Sequence, residues 1–374
     1  MFEKAEFARR VALAREAMAG ADADILLVDH AECLAWLTGY TVSETMYRAA
    51  FLPREGEPWF VLRELDTVPC RAATWIDDIV GFADTAEPQE VMAGELAARG
   101  FTGARIGADF QSYAFTAHTF ARFGALLPEA RFVDLPRVSD RLRATKSPPE
   151  IAVIERAAGI ADEAMTAIHS AAREGFTPRG ASALAAGIFV RRGADTGDVG
   201  PIVRARGDNG FLHAALGEDR LGDGDILHVE LIPKVANYSA RLMRPILVGA
   251  DREGLGAVAD RLIALQNRQI AAMRSGIEAC EADAVLREAV LAEGLRKSYS
   301  NVSAYMLGLY GRTPRTSDFS YTLKPDARWR LETGMVFHVY TSARGLGISE
   351  TVAVTPEGGR RLTRTPRRLL RADL

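Results

Sequence analysis

The sequence predicts a two-domain α+β protein, and three observations predict it. Its 374 residues exceed what one hydrophobic core usually organises. Short apolar runs bounded by turn residues are interleaved with helical stretches, so neither an all-α nor an all-β class fits. The segment RATKSPPE, Arg143 to Glu150, interrupts that pattern with a helix-start signal and marks a boundary between residues 1–143 and 144–374.

In the first domain, MFEKAEFARRVALAREAM reads as a charged amphipathic helix rather than a signal peptide. Ala23 to Val28 is a buried strand, and Leu34 to Leu37 is a short apolar segment leading to a turn at Gly39-Tyr40. Ala49 to Pro53 and Pro58 to Leu62 flank Arg54-Glu55-Gly56-Glu57 as a hairpin. A strand at Ile76 to Phe82, a helix at Pro88 to Arg99 ended by Gly100, and a strand at Arg105 to Ala108 follow. Ser112 to Leu127 reads as helix and Arg131 to Leu135 as a closing strand, which makes a self-contained α/β domain.

The second domain opens with a capping box, Ser147 with Glu150 three residues on, and Pro148 at the first helical position. Ile151, Ile154, Ala158, Ala161, Met165 and Ile168 supply that helix's apolar stripe. Thr177 caps a second helix from Pro178 to about Arg192. Helices at Leu255 to Arg274 and Glu281 to Leu295 precede strands at Gly334 to Tyr340 and Leu346 to Val354, with a turn at Pro356 to Gly359.

Between the two pairs of helices lies the stretch with unusual polar content, Phe211 to Gly249. It reads as a loop carrying His213, a tight turn at Gly222-Asp223-Gly224-Asp225, a strand from Ile226 to Ile232, and a second strand from Tyr238 to Val248. Alternation puts His228 and Glu230 on one face of the first strand. Arg241 and Arg244, three apart, point to opposite faces of the second. Charge inside a sheet demands a partner, because unpaired buried charge is expensive.

Composition narrows the function. A net charge of -3 argues against a nucleic-acid or anionic-membrane partner. No apolar run reaches membrane-spanning length, and the three cysteines form no CxxC pair, so the expectation is a cytoplasmic protein without a disulfide framework or zinc knuckle.

RATKSPPEIAVIERA, FLHAAL, GDGDILHVEL, NYSARLMRP, LETGMVFHVYTSA and ISETVAVTPEGGRRLT occur in this order through the second half. Together they resemble the creatinase, prolidase and methionine aminopeptidase (peptidase M24) superfamily, whose catalytic domain has the pita-bread fold. LAWLTGY, REGEPWFVLRELD and IDDIVGFAD in the first half look like the N-terminal domain of creatinases and aminopeptidase P. Peptidases of the family hold two metal ions with two Asp, one His and two Glu. The resemblance carries those positions to Glu230, Arg241, Tyr305, Tyr340 and Ser349, with Glu350 beside the last. A guanidinium only donates and stays protonated, so no metal and no cofactor is expected.

Creatinase works without metal through a histidine on the loop before the hairpin, and His213 occupies that place. The end of the chain, around Tyr305 and Ile348 to Thr351, also resembles ectoine hydrolase-like members. The resemblance implies a homodimer hydrolysing a carbon–nitrogen bond in a small zwitterion bearing an amidine-type or amide group. His213 is then acid and base, Glu230 and Glu350 grip the cationic nitrogens, and Arg241 or Arg244 pairs with the substrate carboxylate. Tyr305 and Tyr340 line the former metal cavity, and Arg63 reaches a neighbouring subunit's pocket. For several of these residues a plainer role stands beside the functional one. Glu230 with Arg241 is equally readable as a buried ion pair, Arg244 as structural, Arg63 as paired with Glu64 or Asp66, and His228 and His338 as sheet residues satisfied by neighbours. A metal-dependent Xaa-Pro dipeptidase and a silent binding protein of the same fold are the alternative functions.

Overall fold

The computed structural model describes residues 2–40, 45–205, 207, 210–310 and 318–373. Contacts divide it into two units, one running to Arg143 and the other starting at Ala144.

The N-terminal unit contains helices α1 (Lys4–Gly20), α2 (Ala31–Thr38), α3 (Glu64–Ala73), α4 (Pro88–Ala98), α5 (Ala117–Leu126) and α6 (Val138–Leu142). Its strands are β1 (Ile25–Val28), β2 (Ala49–Pro53), β3 (Trp59–Arg63), β4 (Asp78–Phe82), β5 (Arg105–Ala108) and β6 (Arg131–Asp134). They form one six-stranded mixed sheet in the order β4-β3-β2-β1-β5-β6. Phe51, Trp59, Phe82, Met92 and Phe123 are buried together on it. Leu34 to Leu37 turns out to be helix rather than a loose apolar segment. It ends where Gly39 takes φ +84°, at a point where a Cβ would lie 3.1 Å from Phe7 Cζ and from the Ala73 carbonyl. The helix expected from Ser112 starts only at Ala117, because the Thr116 side chain accepts from the Thr119 amide and fixes the cap there.

The second unit begins with α7 (Pro148–Ala171) and α8 (Pro178–Arg191). At the head of α7 Ser147 accepts from the Glu150 amide and Glu150 from the Ser147 amide, as the capping box predicts. Thr177 caps α8 by accepting from the Gly180 amide. Next come β7 (Ile202–Arg204), β8 (Ile226–Leu231), β9 (Lys234–Val235), β10 (Tyr238–Ser239) and β11 (Leu242–Val248). Helices α9 (Leu255–Ala272) and α10 (Ala279–Ala292) precede β12 (Ala304–Met306), β13 (Asp318–Leu323), β14 (Val336–Ala343), β15 (Leu346–Val354), β16 (Gly359–Arg361) and β17 (Leu370–Ala372). A nine-stranded sheet runs β13-β12-β14-β15-β11-β8-β7, with β16 on β15 and β17 on β11.

The strand expected from Tyr238 to Val248 is broken in two. Ala236 and Asn237 turn with positive φ, and both their amides are held by the Asp195 carboxylate. Tyr238 and Ser239 therefore pair back onto Lys234 and Val235, and the chain rejoins the main sheet only at Leu242. One face of that sheet is covered by helix. The Gln266 amide on α9 donates to the carbonyls of Val339 and Ile348, and Val339, Phe337 and Val352 join the core with Ile270 and Ala282. No helix among the described residues is long and apolar enough to cross a membrane.

Candidate functional site

Four strands contribute one residue each to a single row across the sheet. Glu230 on β8 opposes Met243 on β11, Met243 opposes Ser349 on β15, and Ser349 opposes Tyr340 on β14. Residues directly opposed in an antiparallel sheet project to the same side, so Glu230, Ser349 and Tyr340 share a face. Arg241 lies two residues before Met243, and Tyr305 opposes His338, two residues before Tyr340. All five positions carried over by resemblance thus meet on one face.

Within that face Arg241 is the hub. Its Nη1 donates to Glu230 Oε1 at 2.8 Å and to the Tyr305 hydroxyl. The Tyr305 hydroxyl in turn lies 2.7 Å from His338 Nδ1. His338 stacks on Tyr340 with ring centroids 5.2 Å apart, and Asn301 Nδ2 donates to the Tyr340 hydroxyl at 3.1 Å. Burial raises the Glu230 carboxyl above its ordinary range, although the neighbouring Arg241 and, further off, His213 oppose the shift. Burial also raises both phenols and drives the His338 imidazole well below its ordinary value, helped by the Arg241 charge. The tyrosines and His338 are therefore neutral. Because Arg241 only donates, Tyr305 accepts from it and passes its own proton toward His338 Nδ1, which assigns the ring proton to Nε2. That Nε2 meets no hydrogen-bond partner among the described residues.

His213 ends a short 3₁₀ turn, Gly210–His213, and is exposed. The two residues before it anchor the turn. The Phe211 ring meets His228 edge-on at 4.9 Å, and Leu212 packs where a side chain on Gly347 would project. The Phe211 contact holds the turn that ends in His213 against His228 of β8, the strand that carries Glu230.

Four expected assignments need correction. Glu350 follows Ser349 on β15 and so points to the opposite face, among the helices. There it is fully buried, accepting from Arg244 Nη2 at 2.6 Å and from the Thr363 hydroxyl. It cannot grip a substrate on the Glu230 face. Arg244 shares that reverse face and also donates to the carbonyls of Thr365, Pro366 and Ser349, so it does not meet a substrate carboxylate. Arg63, on β3 of the N-terminal unit, is held by Asp84 through two hydrogen bonds, not by Glu64 or Asp66. His228 is not satisfied by neighbours as expected either: neither ring nitrogen has a partner among the described residues, and burial lowers its pKa to about 3.

The side chains on this face do not fit the family's two-metal centre. They offer one carboxylate already accepting from Arg241, a guanidinium that repels cations, two protonated phenols and a serine hydroxyl. Among the described residues, no group of three or more His, Cys, Asp or Glu is placed to hold a metal ion.

Residues 152–356 match the model of metallopeptidase family M24, and residues 10–145 match the creatinase/prolidase N-terminal domain. The chain belongs to metallopeptidase family M24. It is a hydrolase of M24 in the family's two-domain fold. It is 27% identical to the Xaa-Pro dipeptidase of Pyrococcus furiosus over 245 residues, 64% of this chain and 68% of that one. It is 23% identical to the ectoine hydrolase of Halomonas elongata over 398 residues, covering 98% of each. The structure of an M24 protein described as Xaa-Pro dipeptidase from Bacillus anthracis superposes with a TM-score of 0.84 at 19% identity, over 98% of this chain and 100% of that one.

Sequence reasoning gave no functional role to two residues that meet this face, His338 and Asn301. His338 was legible, since a strand through Tyr340 puts His338 beside it by alternation. Asn301 sits in the loop before β12 and carries no periodic signal.

Proposed function

We propose that this face hydrolyses a carbon–nitrogen bond in a small zwitterionic amidine- or amide-type molecule without a metal ion. The observation that supports this reading most is the Glu230–Arg241–Tyr305 hydrogen-bonded set, which fills with one salt bridge and a phenol the positions where metal-dependent members carry ligands. His213, exposed at the end of the turn anchored on the strand that carries Glu230, takes a proton from the attacking water as it adds to the substrate carbon. The same imidazolium returns that proton to the leaving nitrogen as the carbon–nitrogen bond breaks. Glu230 and the Tyr305 and Tyr340 hydroxyls present acceptors and donors to the substrate's nitrogen end. The ectoine hydrolase relative, similar over nearly the full length, supports the substrate class. The chain acts in this reading as a cytoplasmic homodimer whose only ligand is its substrate.

The test is product analysis after exhaustive chelation, with ectoine, creatine and Xaa-Pro dipeptides as substrates. We expect hydrolysis of a zwitterionic amidine or amide that survives chelation and disappears in His213→Ala. Activity on Xaa-Pro dipeptides that requires added Mn²⁺ would overturn the reading in favour of a metallopeptidase, and binding without product would make the chain a binding protein.

A further inference from the structure

Tyr305 and Tyr340 reach the same face, but their hydrogen bonds leave them with opposite roles. Tyr305 accepts from Arg241 Nη1 and gives its proton to His338 Nδ1 at 2.7 Å, so it has none left to offer. Tyr340 accepts from Asn301 Nδ2 at 3.1 Å. The same Nδ2 donates to the Val302 carbonyl at 2.9 Å. A carbonyl only accepts, so the amide nitrogen and not its oxygen is turned to Tyr340. The Tyr340 proton therefore points away from Asn301, and it meets no acceptor among the described residues. Tyr305 is buried, whereas Tyr340 is partly exposed and can meet a ligand.

Charge points the same way. Among the described residues, Glu230 is the one carboxylate in the row that runs through Ser349 to Tyr340, and Arg241 already balances it at 2.8 Å. An amidinium placed here would find no uncommitted counter-ion, and its N–H groups cannot accept from Tyr340. We propose that the group received at Tyr340 is a neutral carbonyl oxygen. Of the amidine and amide types, the site then takes the amide type, with Tyr340 as the donor and Asn301 as the positioning residue that aims it. For the site it serves, this rests on the hydrolase reading above. As water adds and its proton passes to His213, the carbonyl electron pair moves onto oxygen, where the Tyr340 hydroxyl holds the alkoxide. When the carbon–nitrogen bond breaks, that pair re-forms the carbonyl and His213 protonates the leaving nitrogen.

Calorimetric binding to the turnover-deficient His213→Ala chain tests it with two matched pairs, N-carbamoylsarcosine against creatine and citrulline against arginine. In each pair one member has a carbonyl oxygen where the other carries a cationic nitrogen. In at least one pair the carbonyl member should bind tenfold or more tighter than its cationic partner. Adding Tyr340→Phe should weaken that member roughly tenfold and leave the cationic one unchanged. Asn301→Asp keeps the size of the side chain but presents an acceptor, which draws the phenol proton back, and should likewise abolish the preference. Tyr340→Phe on top of it should cost nothing more, and additive losses would show that Asn301 does not act through Tyr340. Cationic members that bind as tightly as their partners, a preference that survives Tyr340→Phe, or no binding by either carbonyl member overturns the proposal. If Tyr340→Phe does not fold, the comparison is read from Asn301→Asp. Failure of the two readings looks different. A carbonyl preference that needs Tyr340, in a wild-type chain that releases no product, removes the hydrolase and keeps the donor. Chelation-resistant turnover of creatine or ectoine keeps the hydrolase and removes the carbonyl assignment.

Discussion

Arg241 and Glu230 meet at 2.8 Å on the face of the main sheet opposite Glu350 and Arg244, both largely withdrawn from water. Breaking such a pair is worse than never having had it, because the survivor is left charged and unpaired. Arg241→Leu should therefore lower stability by about 3–5 kcal/mol, and Glu230→Leu added to it should recover much of that. Urea unfolding of the wild type, both single variants and the double variant gives the coupling. Simple additivity would show that the two side chains do not act as a pair.

Glu350 is expected to matter for folding and not for turnover. Glu350→Gln weakens the partner of a fully buried Arg244 on the helix-covered face. We expect a loss on the order of 3 kcal/mol with kcat and KM unchanged per folded molecule. A fall in kcat at unaltered stability would return Glu350 to the reaction.

Acid sensitivity should trace in part to His228. Its folded pKa is lowered to about 3 by burial, against about 6.5 in an unfolded chain. Between those values the unfolded state binds a proton that the folded state refuses, so stability falls as pH drops through that window and is unaffected by this group above it. The slope is about 1.4 kcal/mol per pH unit at most. His228→Phe should flatten the curve of unfolding free energy between pH 6 and pH 4 by about one proton, leaving the contribution of His338 in place. An unchanged slope would mean that His228 is protonated in the fold.

Local signals were the readable part of this protein. The Ser147 and Thr177 caps, the alternation that pairs His228 with Glu230, and the three-residue spacing that sends Arg241 and Arg244 to opposite faces are set by neighbours within a few residues. The error over Glu350 came from reading adjacency in sequence as adjacency in space. On a strand, one residue is the difference between the two faces, and Ser349 rather than Glu350 keeps the register of the row. The break at Ala240-Arg241 was hidden because it depends on Asp195 reaching amides some forty positions away.

The chain of donors from Arg241 through Tyr305 to His338 also limits what can be substituted into it. An acid placed at position 241 alone would lie beside Glu230 with no counter-ion, and an imidazole placed at position 305 alone would lie next to a fixed cation. Either change alone disturbs the charge balance around Glu230 and Arg241. No single substitution on this face therefore turns it into a two-metal centre, since the remaining charged partner still occupies the space.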